Sequence, residues 1–263
     1  MIDRLGPRVW AVWVGALWLA ACAPMPPQTA ERASPAEVVT ASDESNAHRR
    51  ARIRTELATA YLQRGQANVA LDEAKLALQA ADDYAPAHMV KAVAYMALAR
   101  PELARPELDL ALRLAPQDAS VLLNDAWWHC GQENYDQALS GFERARQHGA
   151  GARAWLGEAV CSARAGDDAT AAFAQAHALA PRDALVVETW SAYALARQDW
   201  GRVHEVLTPF NASAQVSAQS LWLQASAYHQ QGQRAQAQRL AQRLTRTFAD
   251  SPQAAQLKRE AWP

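Results

Sequence analysis

Glycine, cysteine and excess positive charge are all scarce in this sequence. Only 11 of its 263 residues are glycine, 3 are cysteine, and the formal net charge at pH 7 is -1. The shortage of glycine disfavours the glycine-rich phosphate loops of nucleotide- and dinucleotide-binding enzymes. The near-neutral charge argues against a nucleic-acid-binding protein, because such proteins usually carry a basic excess.

Motifs that would carry catalysis or hold a metal ion are also missing. The chain contains no HExxH, no Walker phosphate loop and no GxSxG, which are signatures of zinc proteases, nucleotide-binding proteins and serine hydrolases. Its 7 histidines do not cluster with cysteines or carboxylates at metal-ligand spacing. The Asp-Asp pairs at 82–83 and 167–168 are expected to lie in turns, where aspartate caps helices. The sequence therefore predicts a binding protein that is not an enzyme, with no cofactor and no small-molecule substrate.

Helix breakers are concentrated at the N-terminus. Five of the 13 prolines fall within the first 35 residues. The remainder is rich in Ala, Leu, Gln and Arg, which are good helix formers. Because hydrophobic residues make up 50% of the chain, the chain as a whole is not disordered. The composition predicts an all-α body behind an unusual N-terminal segment.

The first residues, MIDRLGPRVWAVWVGALWLAAC, resemble a bacterial lipoprotein signal peptide. A basic start with Arg4 and Arg8 precedes an uncharged apolar run over 9–21. This run is shorter than the roughly 20 residues that a membrane-spanning helix needs. The run ends in the sequence LAAC, whose cysteine is Cys22. This sequence resembles the lipobox of bacterial lipoproteins, in which the cysteine is acylated and becomes the first residue of the mature protein. The alternative is an ordinary cleaved signal peptide with a chance cysteine.

The N-terminal region is therefore divided into a signal peptide, 1–21, and a lipidated cysteine with a disordered tether, 22–47. Residues 23–47 are rich in Pro, Ala, Ser, Thr and Glu, and hold few large apolar residues that would favour ordering. The resemblance implies three acyl chains on the cysteine, and two or more already give a stable membrane anchor. Residue 23 is Ala rather than Asp, which by the same resemblance favours the periplasmic face of the outer membrane.

Small residues recur through the rest of the chain at a step of 34 residues. Three series keep this step, and within each repeat their members lie 12 and then 7 residues apart: Ala58, Ala92 and Ala126; Ala70, Ala104 and Ala138; Ala77, Ala111 and Ala145. This is the spacing of the tetratricopeptide repeat (TPR), whose residues form two helices, A and B, that cross closely at small side chains.

The spacing predicts a TPR domain over 48–263. Its six repeats are placed at 51–84, 85–118, 119–151, 152–183, 184–217 and 218–251. Twelve helices of about 12–15 residues then form one solenoid, a right-handed superhelix in which each repeat buries its apolar face only against its neighbours. Residues 252–263 are expected to form a capping helix or a tail. The alternative is an irregular helical bundle.

Repeat 4 departs from the pattern. Its first two small residues, Ala159 and Ala169, are 10 apart rather than 12. The shorter spacing predicts that the turn between its two helices is two residues shorter than in the other repeats.

Two cysteines remain if Cys22 is lipidated, and a secreted chain reaches an oxidising compartment. Cys130 and Cys161 fall on the A helices of repeats 3 and 4, which lie side by side in such a solenoid. A disulfide between them is predicted, and closing a loop of 31 residues would stabilise the fold by roughly 3–4 kcal/mol. The alternative is two buried free thiols that pack as small apolar residues.

The concave face of a TPR solenoid is a common partner site. In repeat 2 its helix-A positions are Met89, Val93 and Met96, spaced 4 and 3 apart on one helical face. Equivalent apolar residues in the flanking repeats are Leu62, Leu123 and Trp127. Such a line suits the apolar face of a partner helix or an extended hydrophobic segment. The alternative is that these side chains pack against the adjacent A helices and belong to the core.

Several segments resemble the type IV pilus biogenesis/stability lipoproteins, the PilF/PilW family. They are RxxLAxxYLxxG from Arg54 to Gly65, NDAWWHCG from Asn124 to Gly131, CSAxxG from Cys161 to Gly166, and FADS from Phe248 to Ser251. The resemblance covers nearly the whole chain. Ala126, His129 and Ala249 depart from residues that are frequent in the family.

This resemblance implies an outer-membrane TPR lipoprotein that acts as a pilotin. A pilotin is an adaptor that helps the subunit of the pilus secretin to reach the outer membrane and to assemble into a multimeric channel. The implied partner of the groove is then the secretin subunit, and the membrane is reached through the lipid anchor at Cys22. The alternative function is a generic periplasmic TPR scaffold for other cell-envelope assembly factors.

Overall fold

The computed structural model describes residues 45–259. Over that range the chain forms α-helices and no strand. The helices are α1 (Asn46–Gln63), α2 (Ala67–Ala80), α3 (Ala85–Ala97), α4 (Pro101–Leu114), α5 (Ala119–Gly131), α6 (Tyr135–Gln147), α7 (Gly151–Ala165), α8 (Thr170–Leu179), α9 (Ala184–Ala196), α10 (Trp200–Asn211), α11 (Ala218–Gln230), α12 (Arg234–Thr247) and α13 (Pro252–Arg259). The predicted signal peptide at 1–21, the lipidation site Cys22 and nearly all of the tether lie outside the described residues.

The first twelve helices form six consecutive A/B pairs. Each A helix packs against its own B helix, and each B helix packs against the A helix that follows. The A helices α1, α3, α5 and α7 also pack side by side, as do α9 and α11. The described part of the chain is therefore an all-α repeat solenoid.

Alanines at the helix crossings hold the pairs together. All nine alanines of the three periodic series have 0% exposure, because a larger side chain at these crossings would separate the helices. Phe142 lies between two of them on α6 and is fully buried. The periodicity of small residues is thus a direct consequence of close helix packing.

Helix α1 is longer than the sequence predicted. It has 18 residues and begins at Asn46, inside the segment that was assigned to the tether. The side chain of Ser45 caps it by accepting a hydrogen bond of 3.1 Å from the backbone N–H of His48, which satisfies one of the free donors at the helix start.

The prediction of a shorter turn in repeat 4 was wrong. The turn between α7 and α8 spans 166–169, one residue longer than the equivalent 64–66 of repeat 1. The shorter spacing comes from α8 instead. Ala70 is the fourth residue of α2, whereas Ala169 is the N-cap residue of α8, a helix of only 10 residues. This loss of four helical residues is offset in part by one extra residue in the turn and one at the end of α7. Gly166, with φ of 91°, ends α7 in the left-handed conformation that glycine adopts easily.

Asp168 lies in this turn, as the sequence predicted, and stabilises the start of α8. Its carboxylate accepts hydrogen bonds from the backbone N–H and the hydroxyl of Thr170, at 3.1 and 2.7 Å, and from the hydroxyl of Tyr193 on α9, at 3.1 Å. These bonds, the Thr170 hydroxyl first, hold the pKa of Asp168 below its ordinary value.

The last helix, α13, closes the C-terminal end of the array. Its buried residues Ala254 and Leu257 pack against Leu221 of α11 and Leu244 of α12. Of the two alternatives for the C-terminal segment, residues 252–259 thus form the capping helix. No helix between residues 45 and 259 is long and apolar enough to cross a membrane.

Candidate functional site

The predicted groove residues lie at the boundary between core and surface. All six are half-buried: Leu62, Met89, Val93, Met96, Leu123 and Trp127. Five of them pack in part against buried clusters of their own and neighbouring repeats, and the exception is Val93. The line is therefore neither pure core nor free surface, because these five side chains are packed on one face and accessible on another, and Val93 is half-buried outside the clusters.

The first and last of the predicted groove residues on α3 each line a separate cleft. Met89 lines a small cleft of about 110 Å³ beside the first turn of α5, with Ala85, Pro86, Ala115, Asp118, Ser120 and Val121. Met96 lines a larger cleft of about 390 Å³ with Ala99, Pro101, Trp127, Trp128, Gly131 and Gln132. Val93 lies between these two methionines on the same face. The structure thus brings Met96 and Trp127, from different repeats, to one cleft.

Trp128 is a wall of the larger cleft that the sequence analysis did not identify. Its indole N–H donates a hydrogen bond of 2.9 Å to the carbonyl of Pro101, so the ring turns an apolar face to the cleft. The guanidinium of Arg105 lies 4.7 Å from the centre of the ring. The only sequence signal was the pair of adjacent tryptophans, which a helix directs about 100° apart.

A buried ion pair holds this wall in place. Asp125 on α5 is 4% exposed, and one of its oxygens accepts a hydrogen bond of 2.7 Å from Arg105 on α4. Asp109 accepts two more from the same guanidinium. Burial alone would lower the pKa of Arg105, but the bonds to Asp109 and Asp125 outweigh burial and raise it. Arg105 therefore stays charged and ties the two helices together beneath the cleft.

Trp127 is held from the opposite side of α5. Its ring meets the buried ring of Phe142 edge to face, with centroids 5.3 Å apart, a geometry that aromatic pairs favour. The two tryptophans are therefore fixed by different partners, and the cleft between α3 and α5 is largely preformed. A preformed cleft loses little entropy when a partner side chain enters it.

The two predicted disulfide residues lie behind this cleft. Cys130 on α5 and Cys161 on α7 are fully buried, and their Cα atoms are 5.8 Å apart, with the sulfurs joined in a disulfide. The bond links repeats 3 and 4 next to Phe142. The remaining predicted site residue, Cys22, lies outside the part of the chain that the structure describes.

The two clefts along the predicted groove line are mainly apolar. Across residues 45–259, no group of three or more His, Cys, Asp or Glu side chains could hold a metal ion. The clefts are lined mainly by apolar and small residues, and Asp118, Ser120 and Gln132 are polar residues among their walls. Such a surface is suited to an apolar side chain of another protein.

No protein-family model and no curated protein matches the chain. Among solved structures it resembles PilF of Pseudomonas aeruginosa, with a TM-score of 0.60 and 21% identity, over 82% of this chain and 100% of that one. It also resembles PilW, a widely conserved type IV pilus biogenesis factor, with a TM-score of 0.64 and 21% identity, over 79% and 97%. A tetratricopeptide repeat protein from Parabacteroides merdae gives a TM-score of 0.57 at 18% identity, over 76% and 80%. These similarities establish the fold as a TPR solenoid of the kind found in type IV pilus biogenesis proteins.

Proposed function

We propose that this protein is a lipid-anchored adaptor of type IV pilus biogenesis that acts as a pilotin. In this role it brings the subunit of the pilus secretin to the outer membrane and promotes assembly of the secretin multimer. The observation that carries the proposal is the extent of the structural match, since the helix array aligns with the whole of PilF and nearly all of PilW. TPR proteins of other kinds share the fold, so the pilus role also draws on the sequence resemblance.

The N-terminal segment supplies the membrane link in this proposal. Acylation of Cys22 would fix the chain to the periplasmic face of the outer membrane, and the following tether would let the helical body reach a partner nearby. Binding to an anchored adaptor raises the local concentration of that partner at the membrane.

The partner surface in this proposal is the apolar line on α3 with its two clefts. Methionine side chains are flexible and polarisable, so Met89 and Met96 adapt to apolar groups of different shape. The supported faces of the line keep it ordered, while the accessible faces remain for the partner. We infer that the secretin subunit binds here through an apolar helix face or an extended hydrophobic segment.

Deletion of the gene tests the function directly. The pilotin role predicts that heat-resistant secretin multimers disappear from an immunoblot while the monomer remains, and that twitching motility is lost. Complementation with the wild-type chain should restore both. A deletion strain with normal multimers and an envelope defect of another kind would favour the generic periplasmic scaffold instead.

A Cys22→Ala variant tests the anchor. It should release the body from the outer-membrane fraction or leave an unprocessed precursor, while the helical body still folds, because among residues 45–259 the buried clusters begin at Ala51. Full processing combined with unchanged outer-membrane fractionation would show that the anchor does not exist.

Charged substitutions on α3 test the groove. Met89→Asp and Met96→Asp should abolish multimer assembly, and Val93→Asp provides the cleanest variant because that side chain lies outside the buried clusters. Leu103→Asp is the matched control, since Leu103 is an exposed apolar residue on α4 of the same repeat. Helical content and thermal midpoint must be measured for each. A folded Val93→Asp variant that supports normal multimers would refute the groove, and unfolding of both methionine variants would assign those positions to the core.

A further inference from the structure

Positive charge is concentrated at the C-terminal end of the solenoid. Residues 218–259 carry six basic side chains against one acidic side chain, a formal net charge of +5, whereas residues 45–217 carry 17 basic and 20 acidic ones, a net charge of -3. No aspartate or glutamate occurs between 206 and 249. The near-neutral charge of the whole chain therefore hides a strong asymmetry, which a window along the sequence would have revealed.

Three arginines of α12 form a stripe on one face of that helix. Arg239, Arg243 and Arg246 are spaced 4 and 3 apart and are all exposed, so their side chains lie along the same side. The opposite side of α12 carries the buried residues Ala237 and Leu244, and Leu244 packs against α11 and α13. The stripe lines an open depression of about 450 Å³ together with Gln242 and Thr247.

Within residues 45–259, the guanidinium groups of this arginine stripe have no acidic partner. Elsewhere in the solenoid, Arg54, Arg105 and Arg146 each pair with a carboxylate. Among the described residues, no carboxylate lies within ion-pair distance of the stripe, and its one polar contact is from Arg246 to the amide oxygen of Gln242 at 3.4 Å. Like charges one helical turn apart are mutually destabilising, so interactions within α12 do not account for the stripe.

We propose that the arginine stripe binds an anionic membrane surface through the phosphates of phospholipid headgroups. A guanidinium group presents a planar fork of donors that matches a phosphate, and each basic side chain near an anionic surface strengthens adsorption about fivefold. The choice of a membrane as the occupant rests on the proposed lipid anchor. An acyl group at Cys22 would keep the solenoid within tether length of a membrane surface.

The two attachments complement each other. Residues 23–44 reach at most about 75 Å when fully extended, which keeps the body close to the membrane but does not fix its orientation. A second contact through α12 would orient the solenoid on the surface. In this arrangement the arginine stripe faces lipid, and the apolar line on α3 belongs to a different element and stays available to the secretin.

Sedimentation with lipid vesicles tests the proposal without the acyl group. The probe is the mature chain from residue 22 with Cys22→Ser, mixed with phosphatidylcholine vesicles that contain or lack phosphatidylglycerol. The wild-type chain should sediment with the anionic vesicles only, and added salt should release it. A triple Arg239→Gln, Arg243→Gln and Arg246→Gln variant should bind at least about tenfold more weakly.

A matched control separates the stripe from net charge. Arg64→Gln, Arg113→Gln and Arg153→Gln remove the same charge from exposed arginines outside α12 and should leave binding within about twofold. Equal loss in both triple variants, or no binding of the wild-type chain, would overturn the proposal. Binding to soluble polyglutamate but not to anionic vesicles would also overturn it and point to an acidic protein. Secretin multimers are measured in a separate experiment, so membrane binding by the arginine stripe and the pilotin function can each fail without the other.

Discussion

Phe142 on α6 occupies space that a glycine on the next helix leaves free. The phenyl ring is fully buried, and a Cβ atom placed on Gly157 of α7 would lie 2.7 Å from its Cδ1 atom. Gly141 plays the same role beside Ala126, where an added Cβ would approach the alanine Cβ to 2.8 Å. The close packing of α5 with α6, and of α6 with α7, therefore depends on glycines that have no side chain at these positions.

Gly157→Ala should therefore destabilise the protein by about 1–3 kcal/mol, because the methyl group overpacks the ring of Phe142. Gly131→Ala is the control, since Gly131 ends α5 and has no heavy atom within 4 Å of an added Cβ. It should be neutral or stabilise the helix by up to about 1 kcal/mol. Urea unfolding followed by circular dichroism measures both, and equal midpoints for the two variants would contradict the packing argument.

The pH dependence of stability is predicted to involve His204 on α10. Its ring stacks on Tyr228 of α11 with centroids 4.0 Å apart. Burial lowers its pKa below the ordinary 6.5, and the neighbouring Gln231 side chain offsets this only in part. The unfolded chain then binds more protons than the folded one as the pH falls, so stability is complete above pH 6.5 and declines below it.

His204→Phe should flatten this decline between pH 7 and 5, because the ring stacking is kept and the titrating group is removed. Burial also lowers the pKa of His177. His177 therefore supplies part of the decline in stability that remains in this variant. The comparison is with His148→Gln at an exposed position, which should keep the wild-type profile. A His204→Phe variant with the same pH profile as the wild type would exclude His204 as the source.

Equivalent positions of the A helices show that the two ends of the array differ. The third position of each predicted repeat is almost fully buried in repeats 2–6: Ala87 0%, Val121 1%, Ala154 0%, Val186 2% and Ser220 0%. In repeat 1 the same position is Ile53, which is 53% exposed. Ala87 packs against Ala77 and Ala81 of the preceding B helix, and among the described residues α1 has no preceding helix. Helix α13 covers the other end.

Ile53→Lys should change the free energy of unfolding by less than about 0.5 kcal/mol, since the site is exposed. Val121→Lys, at the same position of repeat 3, should cost more than about 4 kcal/mol or prevent folding, because it buries an unpaired charge. Thermal unfolding compares the two. A large loss in Ile53→Lys would mean that another part of the chain covers the free end.

The helix pairs could be predicted from sequence because helix crossings require small residues at fixed intervals. The start of α1 could not, since its cap at Ser45 lies in a segment whose composition favours disorder. The shortened α8 was missed because spacing counts residues without showing which element loses them. The half-burial of Met89 and the ion pair between Arg105 and Asp125 depend on neighbouring repeats, and contacts of that kind are invisible to a repeat pattern.

At the scale of the whole molecule, the disulfide joins the regular repeats to the irregular ones. Cys130 and Cys161 connect α5 and α7, at the junction between the three repeats with uniform spacing and the repeat that has lost a helical turn. Because each repeat contacts only its neighbours, a crosslink here stabilises the adjoining repeats more than distant ones.

Cys130→Ala with Cys161→Ala should lower stability by roughly 3–4 kcal/mol in the chain-entropy model. Hydrogen exchange should show the loss chiefly in repeats 3 and 4 and much less in repeat 1. Peptide maps with and without reductant establish the bond itself. Two alkylatable thiols in protein taken from the periplasmic side would show that the bond does not form there.

The same crosslink determines how the solenoid would respond to tension. If the two ends of the chain were pulled apart, the helix pairs would unfold from the ends. The disulfide joins Cys130 to Cys161, which are 31 residues apart, so the force would pass through this bond and the segment between the two cysteines would not be extended. About 100 Å of extended chain would be withheld from the stretch. The A helices of repeats 3 and 4 would remain tethered at their cysteines when the outer repeats had given way, leaving a native contact from which the array could refold once the load was released.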